Sequence, residues 1–408
     1  MVKLDKLKDQ STKIKEGRTI GIRNLRYLFM SNIKQYTMLM ALILIVIVFQ
    51  YTTNGVLLRP INVSNLIQQN SYILIMAIGM LLVILTGNID LSVGSVAGFV
   101  GAVSAVMIVQ WKWGTVETIV ISLVIGALIG AWQGFWIAYV RIPAFIVTLA
   151  GQLIFRGLTM VILKGMTLAP FTPGYTMMAA GFLPDFFGND GLHLTTMVFG
   201  VITVLLMVIS DLNKRRQLRK HNFEMISMPL FIIKEVAIGV SIIWISYILA
   251  QYKGLPIVLI LLGFLVVLFT FITQKTTIGR HIYAFGGNEK AAKLSGIKTS
   301  RVFFWVYVNM SVLAALAGIV FAGRLNAATP KAGGNFELDA IAACYIGGAS
   351  ASGGIGTVVG AIIGGLIMGI LNNGMSIMSV SIDWQQAIKG FVLLAAVAFD
   401  VYSKRKTA

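Results

Sequence analysis

Residues 87–94 read Gly87-Asn88-Ile89-Asp90-Leu91-Ser92-Val93-Gly94 and stand between two apolar runs with no aqueous loop to separate them. The flanking runs, 70–86 and 91–109, are each about the length of a membrane-crossing helix. A helix broken within the bilayer fits this pattern, because backbone groups released from helical hydrogen bonding are tolerated there only where protein or water receives them. On that reading Asn88, Asp90 and Ser92 form part of a translocation path or its gate. A short turn in which Asp90 caps the following helix fits equally well.

The rest of the chain supports a membrane setting for this break. Its 408 residues are 57% hydrophobic and only 12% charged, with a mean hydropathy of +0.85. Soluble domains carry about 25% charged residues. Charge is costly in hydrocarbon, so this deficit excludes an ordinary soluble globule. The formal net charge of +18 would point to nucleic acid in a soluble protein. Here the basic residues flank apolar segments and read as topology signals, which removes nucleic acid as a partner. Cys344 is the sole cysteine, so no internal disulfide is possible, and its apolar neighbourhood reads as packing. His193, His221 and His281 are too scattered to suggest a metal centre.

Twelve crossings are expected, at about 36–53, 70–86, 91–109, 117–139, 144–163, 194–210, 229–250, 255–273, 302–322, 338–349, 356–371 and 385–402. The tenth is short enough to be a half-helix, and the count is best bracketed as ten to twelve in an all-α polytopic fold. With the amino end inside, Arg141, the run 214–220, residues 275–301 and the tail 404–408 fall inside. The outside loops hold only Arg59, Lys112, Lys164, Lys253, Arg324 and Lys331 of the 33 Lys and Arg. This asymmetry places both termini in the cytoplasm. Residues 1–35 form a basic cytoplasmic segment, read either as a helix along the membrane surface, in contact with lipid, or as a solvated tail. No cleavable signal peptide is recognisable. The transmembrane unit covers 36–403, with its largest internal loop at 274–301, and residues 164–193 read as an irregular external loop.

Gly126, Gly130 and Gly134 repeat at four-residue spacing, as do Gly356, Gly360 and Gly364 after the small-residue stretch 347–354. Such spacing lines one helix face and indicates close helix contact. Gln133, Gln152, Arg156, Asn309, Asn372, Asn373, Lys389 and Asp400 are polar groups within apolar runs. They suit a path for an uncharged, hydroxyl-rich solute and equally suit helix-to-helix hydrogen bonding, with snorkelling open to Lys389 and Asp400. No phosphate-binding loop, H-E-x-x-H or G-x-S-x-G is present, so no catalytic residue, metal or cofactor is assigned.

Four blocks resemble the permeases of bacterial carbohydrate ABC importers, the ribose, galactose and xylose group. They are residues 87–95; Ile142-Pro143-Ala144-Phe145-Ile146-Val147-Thr148-Leu149; Gly279-Arg280 with Ala284-Phe285-Gly286-Gly287-Asn288, Ala291-Ala292 and Ser295-Gly296-Ile297; and 338–343 with 346–350 and Gly353-Gly354. The extra material at 212–250 is most similar to the long, xylose-type and multiple-monosaccharide members. The resemblance implies a type II importer fold in the bacterial inner membrane and a homodimer. It also implies a cytoplasmic ATPase that uses the ATP, an extracytoplasmic sugar-binding protein, and a monosaccharide cargo such as xylose. It further implies that 274–301 docks on the ATPase, with Arg280, Gly286, Gly287, Asn288, Glu289, Ala291 and Gly296 as coupling residues around a short helix at 289–294. Importers of branched-chain amino acids, nucleosides or autoinducer-2 remain alternatives, as does an ion-coupled secondary carrier.

Overall fold

A computed structural model describes residues 33–188, 191–221 and 227–405. The expectations for residues 1–32 and for 406–408 lie outside the described residues. Among the described residues the chain is helical, with two isolated β-bridges and no longer strand. Among the described residues, ten helices are long and apolar enough to cross a membrane. The chain is therefore an all-α, multi-pass membrane protein.

Helix α1 (Ile33–Thr52) carries the shorter apolar stretch Thr37–Thr52. Helix α2 (Pro60–Leu85) begins ten residues before the expected start of its crossing. Pro60 supplies a preset backbone angle in the first turn. The polar side chains that hid this turn from hydropathy are internally bonded: Asn62 exchanges amide hydrogen bonds with Asn373 at 2.8 and 3.1 Å, and Gln68 donates to the Ala180 carbonyl at 3.1 Å. Helix α3 (Val93–Ala105) continues through a π-turn to Gln110. Helices α4 (Thr115–Ala138) and α5 (Ala144–Leu163) match their expected bounds closely.

The segment 164–193 is less irregular than expected. It contains α6 (Pro173–Ala180), whose Tyr175 and Ala179 are fully buried against the core. The bridges Leu168–Ala328 and Phe182–Pro256 gather three loops at this end of the bundle. Helix α7 (Leu194–Lys220) runs about three turns beyond the expected 210, so the basic stretch 214–220 is helical rather than a loop. Straight-chain Arg, Lys, Gln and Leu are good helix formers and carry the helix past its apolar part. Helix α8 (Met228–Ala250) packs back along α7.

Helix α9 (Ile257–Lys275) leads into α10 (Thr277–Gly287) and α11 (Glu289–Leu294), so residues 274–301 form two short helices. Helix α12 (Thr299–Leu325) is the central post, packed on α2, α3 and α4. Gly126, Gly130 and Gly134 all face it; a side chain on Gly130 would meet the Val308 Cα at 2.7 Å and the Tyr307 carbonyl at 2.8 Å. After α12 the chain turns inward beside α3, where side chains on Gly94 and Gly98 would strike the backbone of Gly333 and Ala332. Helix α13 (Phe336–Ile346) has only 11 residues, about 16 Å of rise against a hydrocarbon thickness of about 30 Å. It is the expected half-helix. Helix α14 (Val358–Ile377) packs on it through Gly360 and Gly364, which lie directly against backbone carbonyls of Gly347 and Ala343. Gly356 does not share that face: it precedes the helix, in the turn. Helix α15 (Ile382–Arg405) closes the chain, carrying Lys404 and Arg405 on from the span.

Candidate functional site

The broken stretch after α2 meets the glycine-rich turn before α14 and the end of α10 at one end of the bundle. The Gly354 N–H donates to the Leu85 carbonyl at 2.9 Å, and the Tyr283 hydroxyl donates to the Gly356 carbonyl at 2.6 Å. Gly286 sits so close to Leu85 that any side chain would collide with its carbonyl, and Gly353 (φ +80°) packs on Gly87. Three segments far apart in sequence thus lock through backbone. They leave a recess of about 430 Å³ lined by Thr86, Asn88, Arg141, Asn288, Glu289 and Ser352 among others. Arg141 donates to Glu289 at 3.0 Å across its rim and to the Ser300 hydroxyl at 3.2 Å. Asn88 is half-buried in the recess, its amide held by the Thr86 carbonyl at 2.9 Å.

Asp90 and Ser92 lie beneath, fully buried. Asp90 Oδ1 accepts from the Ser92 N–H at 2.8 Å and the Ser92 hydroxyl at 2.6 Å, a local turn that starts α3. The Ser92 hydroxyl in turn accepts from Gln133 Nε2 at 2.9 Å. Asp90 Oδ2 has no hydrogen-bond partner, so one oxygen serves the turn and the other is left over. The three residues read together from 87–94 therefore separate into one that lines the recess and two that are buried in the turn behind it.

A second polar group surrounds the start of α13. Glu337 Oε1 accepts from Gln152 Nε2 at 3.1 Å, while its Oε2 has no partner and lies against Gly94. Asp339 forms an ion pair with Lys389 at 2.9 Å, in a half-buried cleft of about 170 Å³ between α13, α14 and α15. Lys389 does not snorkel, because a carboxylate within reach in the bundle satisfies it better than the lengthwise climb to the surface. Buried ion pairs inside a bilayer mark positions that a fold retains despite their desolvation cost.

Asp339, Arg141 and Asn326 were not picked out as site or structural groups. Asp339 had a usable signal, as an acidic residue one turn into a short apolar segment. Arg141 stood out only as an inside charge. Asn326 ends α12 in the left-handed region (φ +52°) and accepts from the Phe171 N–H at 2.8 Å. Its role depends on a contact 155 residues away in sequence, which no local pattern encodes.

Of the coupling residues, Arg280, Gly287, Asn288, Glu289, Ala291 and Gly296 are exposed, and Leu294 is 90% exposed. Asn288 caps α11, its Oδ1 accepting from the Ala291 N–H at 3.0 Å. Gly296 (φ +85°) turns the chain back into α12. Gly286 differs from the others: it is a junction residue, and its lack of a side chain is required by packing.

The family model for the permease component of branched-chain amino acid transport systems matches residues 62–397. The chain is 40% identical over 375 residues to the xylose transport system permease protein of Haemophilus influenzae, covering 92% of this chain and 98% of that one. It is 37% identical over 376 residues to the xylose transport system permease protein of Escherichia coli strain K12, covering 92% and 94%. It is 36% identical over 367 residues to the ribose import permease protein of the same strain, covering 90% and 93%. No solved structure gives a significant match. These permeases are transport proteins and not enzymes, and this chain belongs to their family, the permease components of bacterial solute transport systems.

Proposed function

We propose that the chain is the membrane-spanning subunit of an ATP-driven ABC importer for a monosaccharide, xylose or a related pentose or hexose. An extracytoplasmic binding protein delivers the sugar, a cytoplasmic ATPase supplies the energy, and two copies of the chain pair to form the pathway. Both termini and 274–301 face the cytoplasm. The observation that carries this reading is 40% and 37% identity, over 92% of this chain, to two xylose transport system permease proteins. The geometry agrees with it. Helix α11 projects from the bundle with Leu294 uncovered, and its base is tied to the recess by the Arg141–Glu289 pair. Movement of α11 by a docked partner would be transmitted to Asn88 and the backbone junction behind it. The chain holds no phosphate-binding loop of its own.

Uptake of labelled xylose into proteoliposomes tests the proposal, with the chain reconstituted alone, with its ATPase, and with ATPase and binding protein together. ATP-dependent accumulation only in the complete system is expected. Full uptake without ATPase would establish a secondary carrier instead. Accumulation of leucine in preference to any sugar would favour the amino-acid reading.

A further inference from the structure

A cleft of about 530 Å³ opens sideways from the bundle between α9, α10 and α12, on the flank of the docking segment. Its wall is largely apolar, formed by Phe269, Ile272, Ile282, Val302 and Val306. Lys298, Arg301 and His281 also line it, and no carboxylate does. All three are exposed. Lys298 and Arg301 frame the first turn of α12, while Asn309 lies ten residues further along the same helix. The cleft therefore extends about 15 Å along α12, charged at one end, apolar along its middle, and closed at the other by Asn309, whose buried amide nitrogen has no hydrogen-bond partner. Its volume falls in the range of small-molecule sites, about 300–1,000 Å³.

We infer that this cleft binds an anionic phospholipid, with the phosphate between Lys298, Arg301 and the His281 ring and one acyl chain along the wall towards Asn309. Two features select that occupant. A cation-lined, carboxylate-free mouth complements a headgroup of net negative charge, whereas the choline of a neutral lipid would bring a further cation among Lys298 and Arg301. An apolar wall that runs about 15 Å along a helix matches an acyl chain rather than a free phosphate. Trp305, more than half exposed beside the mouth, is the side chain type that settles at the headgroup boundary. The site shares Lys298 and Gly296 with the return from α11, so a bound lipid would brace the base of that helix.

The test is native mass spectrometry of the full-length chain purified in mild detergent, titrated separately with phosphatidylglycerol, phosphatidylcholine and glycerophosphate. Discrete binding of phosphatidylglycerol over phosphatidylcholine is expected, with glycerophosphate failing to compete. The double variant Lys298→Gln/Arg301→Gln should weaken phosphatidylglycerol binding roughly thirtyfold, leaving phosphatidylcholine unchanged. Val302→Trp, which fills the wall, should weaken phosphatidylglycerol binding while the charges remain. If that variant does not purify as a monodisperse species, Ile297→Trp on the same lining serves. Equal retention of both lipids, competition by glycerophosphate at matched concentration, or wild-type phosphatidylglycerol binding in the charge and filled variants would each overturn the assignment.

Discussion

Helices α2 and α7 have 26 and 27 residues, and α7 is the more hydrophobic, yet most of α2 is buried in the bundle and most of α7 is not. The more hydrophobic helix is the one left uncovered. Lipid tails are as apolar as leucine, so a helix gains nothing from hiding leucine in the bundle. What draws α2 inside are Asn62 and Gln68, which bond across to Asn373 and to the Ala180 carbonyl, and small residues that admit a neighbour; Asn70 and Ser71 bond back to the Leu66 and Gln68 carbonyls of α2 itself. The same division runs through the molecule. Helices α3, α12 and α14 join α2 in the centre, with polar groups and glycines. Helices α7, α8 and α15 lie outside, where they face lipid or another chain.

The largest test of this division is Gly130→Leu. Its side chain has only α12 backbone to occupy, and overpacking there should cost about 3 kcal/mol or more. Leu206→Ala on α7, already 63% exposed, should be nearly neutral. Thermal unfolding of the purified variants separates them. A comparable loss from both would mean that α7 is packed against protein.

Lys389→Met should cost about 3 kcal/mol by stranding the Asp339 carboxylate in a poorly solvated cleft. Adding Asp339→Asn should recover part of that loss, because the stranded charge is then gone. A fully additive double variant would show that the pair does not tether the outer α15 to the bundle.

Asp90→Asn keeps the oxygen that accepts from the Ser92 N–H and hydroxyl, so the turn should survive with a stability change within about 1 kcal/mol. Sugar uptake should nevertheless fall while membrane insertion is unchanged, if the unpartnered oxygen takes part in opening the recess. Normal uptake would leave Asp90 with the turn alone.

The smallest effect concerns Asp185, in the loops opposite the recess. It accepts from the Thr195 hydroxyl at 2.6 Å and from the Thr195 and Leu194 N–H groups, capping α7. The Thr195 hydroxyl is the main cause holding its carboxyl down to about 2, from an ordinary value of 3.8. A depressed value means that the contribution to loop stability is present above about pH 4 and is lost as the pH falls through 2. Protease nicking at residues 181–193 should rise over that window, and Asp185→Asn should remove the pH dependence.

The apolar runs were enough to read the membrane class, most crossings and the break at 87–94, because lipid imposes length and hydropathy on every span. The short helix at 289–294 was legible too, from the glycines around it and the family pattern. The early start of α2 was not: its polar residues look like loop until Asn373 and Ala180 come into contact with them. Nor was the position of Gly286, which resembles its exposed neighbours in sequence but is pressed on Leu85 by the tertiary fold. The Asp339–Lys389 pair was missed for the same reason, since its members lie 50 residues apart.

Ala291 and Gly286 stand five residues apart on the two sides of the docking segment, and only Ala291 has room for a side chain. In the function proposed above, α11 passes ATPase motion to the recess. This transmission is tested most directly by ATP-driven xylose uptake and ATPase co-purification with Ala291→Trp. At least about a tenfold loss of both is expected, equivalent to about 1.4 kcal/mol of docking energy, with thermal stability unchanged. Undiminished uptake and co-purification by that variant would contradict it.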